Sequence, residues 1–122
     1  MSSPRVSTMT LAEISDVLQC EVLTGEDALS MEIETVVASD GMSEILAFAR
    51  PGALMITGLT NIQSVRTADI ANVRAIVYIR GKRPDARTID LAGRYRIPVL
   101  ATHLGMFDVC GMLREQGLKG GM

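Results

Sequence analysis

The sequence contains no tryptophan, and only two phenylalanines, two tyrosines, two cysteines and one histidine in 122 residues. Each scarcity removes a class of function. Without aromatic platforms the chain has nothing on which single-stranded bases could stack. A net charge of −2 excludes a nucleic-acid binder driven by overall positive charge. One histidine and two cysteines far apart in sequence, Cys20 and Cys110, supply no metal-ligand spacing. The same two cysteines suit reduced, buried thiols better than a disulfide framework. No apolar run approaches the ~20 residues that span a bilayer. The first residues, M-S-S-P-R-V-S-T-M, lack the apolar centre of a signal peptide. The expected location is the cytoplasm, with neither nucleic acid nor membrane as partner.

What is present is an aliphatic globular composition, 48% hydrophobic against 21% charged. The core must come from Ile, Val, Leu, Met and Ala, and the length suits one domain. The expected organisation is a flexible leader over 1–8, a single domain over 9–118 and a disordered tail over 119–122. Thr10-Leu11-Ala12-Glu13 has the form of a capping box, followed by Leu11, Ile14, Val17 and Leu18 at helical spacing. Short strands are predicted at Cys20–Leu23 and Glu34–Ser39, and a helix over Met42–Ala49 that Pro51-Gly52 stops. Strands at 53–57, 75–79 and 98–101 then alternate with helices at 61–73, 85–95 and 106–116. Repeated strand–helix units imply parallel strands joined by right-handed crossovers. Continuously apolar strands imply a sheet covered on both faces. The predicted fold is α/β, a three-layer α/β/α sandwich with a mostly parallel sheet.

Ligands on such sheets lie outside the carboxyl ends of the strands. Three loops collect there: Thr57-Gly58-Leu59-Thr60-Asn61, Arg80-Gly81-Lys82-Arg83 and Thr102-His103-Leu104-Gly105. In the second, three basic residues surround a glycine between a strand and a helix, and Pro84 fits a first helical turn. Backbone donors at such a junction can approach an anion, helped by the helix dipole. A solvated basic turn explains the same residues, so both readings stand. A Walker A loop is excluded, because it needs glycine where Ile76 stands and Ser or Thr where Arg83 stands. Asn61 caps its helix, with Thr57 and Thr60 offering hydroxyls, and turn chemistry alone accounts for all three. His103 follows a strand, but no nucleophile elbow or orienting carboxylate accompanies it. Asp108 fits a helix N-terminus better than a catalytic role. The last helix carries a broad apolar stripe, Met106, Phe107, Val109, Cys110, Met112 and Leu113. That width exceeds what one sheet face covers, which predicts a homodimer.

From Thr10 to about Leu118 the sequence resembles the DRTGG domain family. The resemblance is carried by T-L-A-E-I-S near the start, V-L-T-G-E at 22–26 and D-G-M-S-E at 40–44. It continues with A-L-M-I-T-G at 53–58, A-I-V-Y-I-R-G-K-R-P at 75–84 and I-P-V-L-A-T-H at 97–103. The family's Asp-Arg pair falls near Leu59, Thr60 and Asn61, and its Thr-Gly-Gly on Arg80-Gly81-Lys82, where only Gly81 matches. The resemblance implies a small α/β sandwich similar to the N-terminal domains of HPr kinase and of Mur ligases. It implies a regulatory, non-catalytic role with no cofactor, and the HPr serine kinase label does not fit a chain without a P-loop. The expected function is a regulatory module holding a nucleotide or phosphorylated metabolite through Thr57, Gly58, Thr60, Asn61, Arg80, Gly81, Lys82, Arg83, Thr102 and His103. The alternative is a protein-interaction subunit of a metabolic enzyme complex with no small ligand. An enzyme using His103 is a third and more distant reading.

Overall fold

The computed structural model describes residues 7–122. Its first elements are a short strand β1 (Met9–Thr10), helix α1 (Leu11–Leu18) and strand β2 (Glu21–Thr24). A 3-10 turn (Glu26–Ala28) leads to β3 (Glu32–Ile33) and β4 (Thr35–Ala38), then α2 (Met42–Phe48). Next come β5 (Leu54–Thr57), α3 (Ile62–Ile70), β6 (Ala75–Tyr78), α4 (Ala86–Arg94), β7 (Val99–Ala101), α5 (Met106–Glu115) and β8 (Lys119–Gly120). The capping box forms as its residues require. Glu13 N–H donates to Thr10 Oγ1 at 3.1 Å, and Thr10 N–H donates to Glu13 Oε1 at 2.8 Å.

Six strands make the main sheet in the order β2-β7-β6-β5-β4-β8, while β1 and β3 pair separately. All neighbours in the main sheet are parallel except β2, which runs antiparallel to β7. Alternate strand residues serve opposite faces. Leu54, Ile56, Val77 and Leu100 pack with Leu11, Ile14 and Leu18 of α1 and Val109 and Leu113 of α5. Met55, Ile76, Tyr78 and Val99 pack with Ile45 of α2, Val65 and Ala68 of α3, and Ala92 of α4. The result is the expected three-layer sandwich, two helices on one face and three on the other.

Of the two expectations about the ends, the structure bears on the tail. The leader over 1–8 falls mostly outside the described residues, and Thr8 is already held, its hydroxyl donating to Glu32 at 3.1 Å. The tail is not free either. Lys119 and Gly120 add β8 beside β4, and Gly121 N–H donates to the Val36 carbonyl at 2.8 Å. Leu118, 2% exposed, anchors that return in the core.

Helices α1, α3, α4 and α5 stop where a residue packed against the core enters the next segment. After α3, Asn72 (φ 56) turns left-handed, and Val73 N–H reaches back to the Ala68 carbonyl. Gln19 with Cys20, Arg96 with Ile97, and Gly117 with Leu118 repeat the arrangement after α1, α4 and α5. This is the Schellman closure, in which the donor after the left-handed residue satisfies an orphan carbonyl. Three of the four left-handed residues are not glycine, so the helices at 61–73 and 85–95 end earlier than their spacing suggests. A left-handed conformation costs a non-glycine residue about 1–2 kcal/mol. Gln19→Gly, at an exposed site, is therefore expected to stabilise the fold by roughly 1 kcal/mol. Urea unfolding should show a higher midpoint at unchanged slope. Gly117→Ala should do the reverse, because Gly117 holds φ 98 and its added Cβ would lie 2.7 Å from Ser7 Oγ.

Candidate functional site

The connections fix where a crevice can form. β4, β5, β6 and β7 lie side by side in chain order, and α2, α3 and α4 joining them share one face. After β7 the chain crosses to the other face through α5 and returns to β8 beside β4. The loops after β6 and β7 thus diverge to opposite faces, which is the switch point where open α/β sheets bind ligands. Here the two loops are bonded to each other. Arg80 N–H donates to the Leu104 carbonyl at 2.8 Å, and Gly81 N–H to the Thr102 carbonyl at 3.0 Å. Lys82 N–H closes a tight turn on the Ile79 carbonyl at 3.0 Å, with Arg80 (φ 58) and Gly81 (φ 70) both left-handed between them.

This geometry corrects part of the sequence reading. The backbone donors of Arg80, Gly81 and Lys82 are already spent on carbonyls, so Gly81 cannot cradle a phosphate through its N–H. Helix α4 begins at Ala86, with Asp85 as its cap accepting from Thr88 N–H at 2.9 Å. Pro84 precedes the helix rather than opening it. Arg83 pairs with Glu21 of β2. Thr102, 3% exposed, donates its hydroxyl to the Leu18 carbonyl at 2.6 Å and accepts from Leu104 N–H. Thr57 is fully buried, donating to Asp40 Oδ1 at 3.0 Å and accepting from Leu59 N–H. Both threonines build the loops instead of facing solvent. Asn61 accepts from Ser64 N–H at 3.2 Å as the α3 cap. Ser64 Oγ in turn meets the buried Tyr78 hydroxyl at 2.7 Å, tying the start of α3 to β6. Lys82, His103 and Asn61 remain exposed at this edge, and Thr60 is half-buried.

The residue missed from sequence is Asp40, which follows β4 and completes the edge as a fourth loop. Its Oδ1 accepts from Gly58 N–H at 2.7 Å as well as from Thr57, and its Oδ2 lies 3.5 Å from Arg80 Nη2. The Arg80 side chain runs across Gly58, where any Cβ would meet the guanidinium. A side chain at Gly58 would push the guanidinium aside and away from Asp40. The signal was available in Asp40-Gly41 directly after a predicted strand, in register with the other three loops.

Four clefts indent the described surface away from this edge. One of about 560 Å³, lined by Gly25, Glu26, Asp27, Arg96 and Pro98, lies at the opposite, amino edge of the parallel strands. Another of about 520 Å³ runs between Thr24 and the outer side of α4. A third of about 320 Å³ sits between α3 and α4, lined by Arg66, Arg87, Asp90 and Arg94, the last two paired at 3.1 Å. The fourth, about 280 Å³ and apolar, separates α5 from β4 and β8. Burial pushes the Cys20 thiol up to about 12 and raises Cys110 as well, so neither is a ready nucleophile. Among the described residues no cluster of His, Cys, Asp and Glu could hold a metal ion, and no helix is long and apolar enough to cross a membrane.

The bond from Gly58 N–H, with help from Thr57 and Arg80, lowers the Asp40 carboxyl below its usual 3.8 despite some desolvation. A carboxylate depressed in the folded state contributes stability above its unfolded value, and loses it as pH falls through the folded one. Acid unfolding of wild type and Asp40→Asn should therefore converge below pH 3.8. Above that the wild type should be the more stable, as urea titrations at pH 3 to 6 would read. Equal stability at every pH would remove Asp40 from the edge's support.

The sequence matches the model of the DRTGG domain over residues 13–116. No functionally curated protein matches it. Among solved structures, its fold is similar to the CBS and DRTGG domains of the regulatory region of Clostridium perfringens pyrophosphatase, complexed with its activator diadenosine tetraphosphate. That match has a TM-score of 0.74 at 20% identity, covering 88% of this chain and 46% of the other. The chain thus spans less than half of that regulatory region. Carrying the family's sequence pattern through nearly all its elements, and folding as its solved relative does, the chain belongs to the DRTGG domain family.

Proposed function

We propose that this DRTGG domain is a non-catalytic regulatory module whose carboxyl sheet edge receives a small phosphate-bearing ligand, a nucleotide being the first chemistry to test. The observation carrying the proposal is Arg80. Its guanidinium is held across Gly58 by Asp40 yet stays 46% exposed, with Lys82 beside it in sequence and His103 on the loop bonded to its own. With the backbone donors of the turn at 80–82 consumed, its side chains make the contacts: Arg80 and Lys82 to phosphate, with Asn61 and His103 to polar groups. Asp40 itself is fixed by Gly58 and Thr57, but its 3.5 Å contact with Arg80 is long enough that a phosphate can compete for the guanidinium. The pyrophosphatase regulatory region, whose structure holds a nucleotide activator, supports the ligand class. Protonated thiols and the missing P-loop support the absence of catalysis. The module acts in the cytoplasm as a homodimer in this reading, regulating a metabolic enzyme.

A second reading, a protein-interaction subunit with no small ligand, draws on exposed apolar side chains. Phe48 is 63% exposed, Ile70 70% and Phe107 89%. Calorimetric titration with AMP, ADP and ATP separates the two, and silence with all three in the wild type sinks the nucleotide reading. Arg80→Ala or Lys82→Ala should leave the fold intact and weaken binding about tenfold to a hundredfold, the loss of ~1.5–3 kcal/mol from one charge-assisted bond. Loss in Arg66→Ala instead would move the ligand to the cleft between α3 and α4. The purified protein should neither hydrolyse ATP nor phosphorylate HPr; turnover above background that disappears in Lys82→Ala would overturn the non-catalytic assignment.

A further inference from the structure

The charges around the carboxyl edge do not suit a highly charged ligand. Arg80, Lys82 and Arg83 supply its cations, and three carboxylates stand against them. These are Asp40 after β4, Glu44 in the first turn of α2, and Glu21 at the start of β2, which pairs with Arg83. Asp85 and Asp108, at the starts of α4 and α5, add to the negative side. The edge therefore holds no surplus of positive charge. Asp40 is the carboxylate that any ligand on Arg80 has to tolerate. Its Oδ1 is held twice, by Gly58 N–H at 2.7 Å and the Thr57 hydroxyl at 3.0 Å, so it does not swing away. Its Oδ2 stands 3.5 Å from Arg80 Nη2. A phosphate oxygen bonded to that nitrogen at about 2.8 Å thus lies within roughly 6 Å of Oδ2. The Gly58 bond lowers this carboxyl below its ordinary value, so its charge is present at neutral pH. In water, each unit of ligand charge at that distance meets a repulsion worth roughly threefold in affinity.

We infer that Asp40 sets the specificity of this edge, admitting a monophosphate ester, such as a nucleoside or sugar monophosphate, in preference to a di- or triphosphate. The inference rests on the proposed phosphate-binding function and narrows its ligand class. Only Nη2 of Arg80 approaches a carboxylate among the described residues, so the guanidinium keeps donors for one phosphate. Asp40 Oδ2 accepts nothing but that long contact, and is left to receive a hydroxyl of the attached sugar. Each further phosphate adds charge beside a fixed carboxylate. Arg83 is committed to Glu21, and Lys82 is the one cation of the turn with no carboxylate partner among the described residues. One phosphate is what this edge can balance.

Calorimetric titration of the full chain with AMP, ADP and ATP, in metal-free buffer at one ionic strength, tests it. The wild type should bind AMP at least as tightly as ATP. Asp40→Asn keeps an oxygen for Gly58 and Thr57 but drops the charge. It should tighten ATP more than AMP, moving the gap between them by about tenfold, since ATP carries roughly twice the charge. Glu44→Gln, whose amide oxygen still accepts from the Ser39 hydroxyl, should move the gap the same way by less. A wild type that binds ATP more tightly than AMP overturns the inference and leaves the nucleotide reading standing. An equal shift for all three ligands in Asp40→Asn does the same, reducing Asp40 to a support for Arg80. Absence of binding to any of them, in wild type and variants alike, overturns the proposed function and this inference together.

Discussion

The pairing of the loop after β6 with the loop after β7 governs the carboxyl edge. Two backbone bonds, from Arg80 and Gly81 to the Leu104 and Thr102 carbonyls, close the crevice that the topology opens between diverging connections. The closure is buttressed from below, where the Thr102 hydroxyl reaches the end of α1 through the Leu18 carbonyl. Because those amides are consumed, the turn at 80–82 offers no backbone nest. The groups that stand clear of it are chiefly the side chains of Arg80, Lys82 and His103.

Arg80 shows how the sheet distributes its polar residues. It leaves β6, crosses the end of β5 at Gly58 and meets Asp40 at the end of β4. Three neighbouring strands thus converge on one ion pair half open to solvent. Such a pair contributes little to stability, and its influence lies in holding a cation in place. Among the described residues the buried side-chain polar atoms, by contrast, are all partnered, with Tyr78 on Ser64 and Thr57 on Asp40 as the chief cases.

The legibility of the chain varied with the range of the interaction involved. Helix α1 was readable in full, since Thr10, Glu13 and the apolar spacing behind them act within two turns. The strands β5, β6 and β7 were readable because apolar runs bounded by turn residues leave little choice. Helix C-termini were less so, because Gln19, Asn72 and Arg96 adopt left-handed conformations that let the core-packed residue after each turn inward. The tail was misread for the same reason: Lys119 and Gly120 carry no strand propensity and become β8 only because Leu118 is buried and β4 offers an edge.

By itself the sequence determined the alternation of strands and helices, the two-sided burial of the sheet, the family pattern and the basic character of the loop at 80–83. Those follow from periodicity and composition, which act over a few residues. Tertiary structure alone decided which of those basic residues remain available. Arg83 is taken by Glu21 from another strand, Arg80 is steered by Asp40, and Gly81 is spent on Thr102. Each partner arrives from a separate segment that only the folded sheet brings alongside, so no local pattern records whether a donor is free.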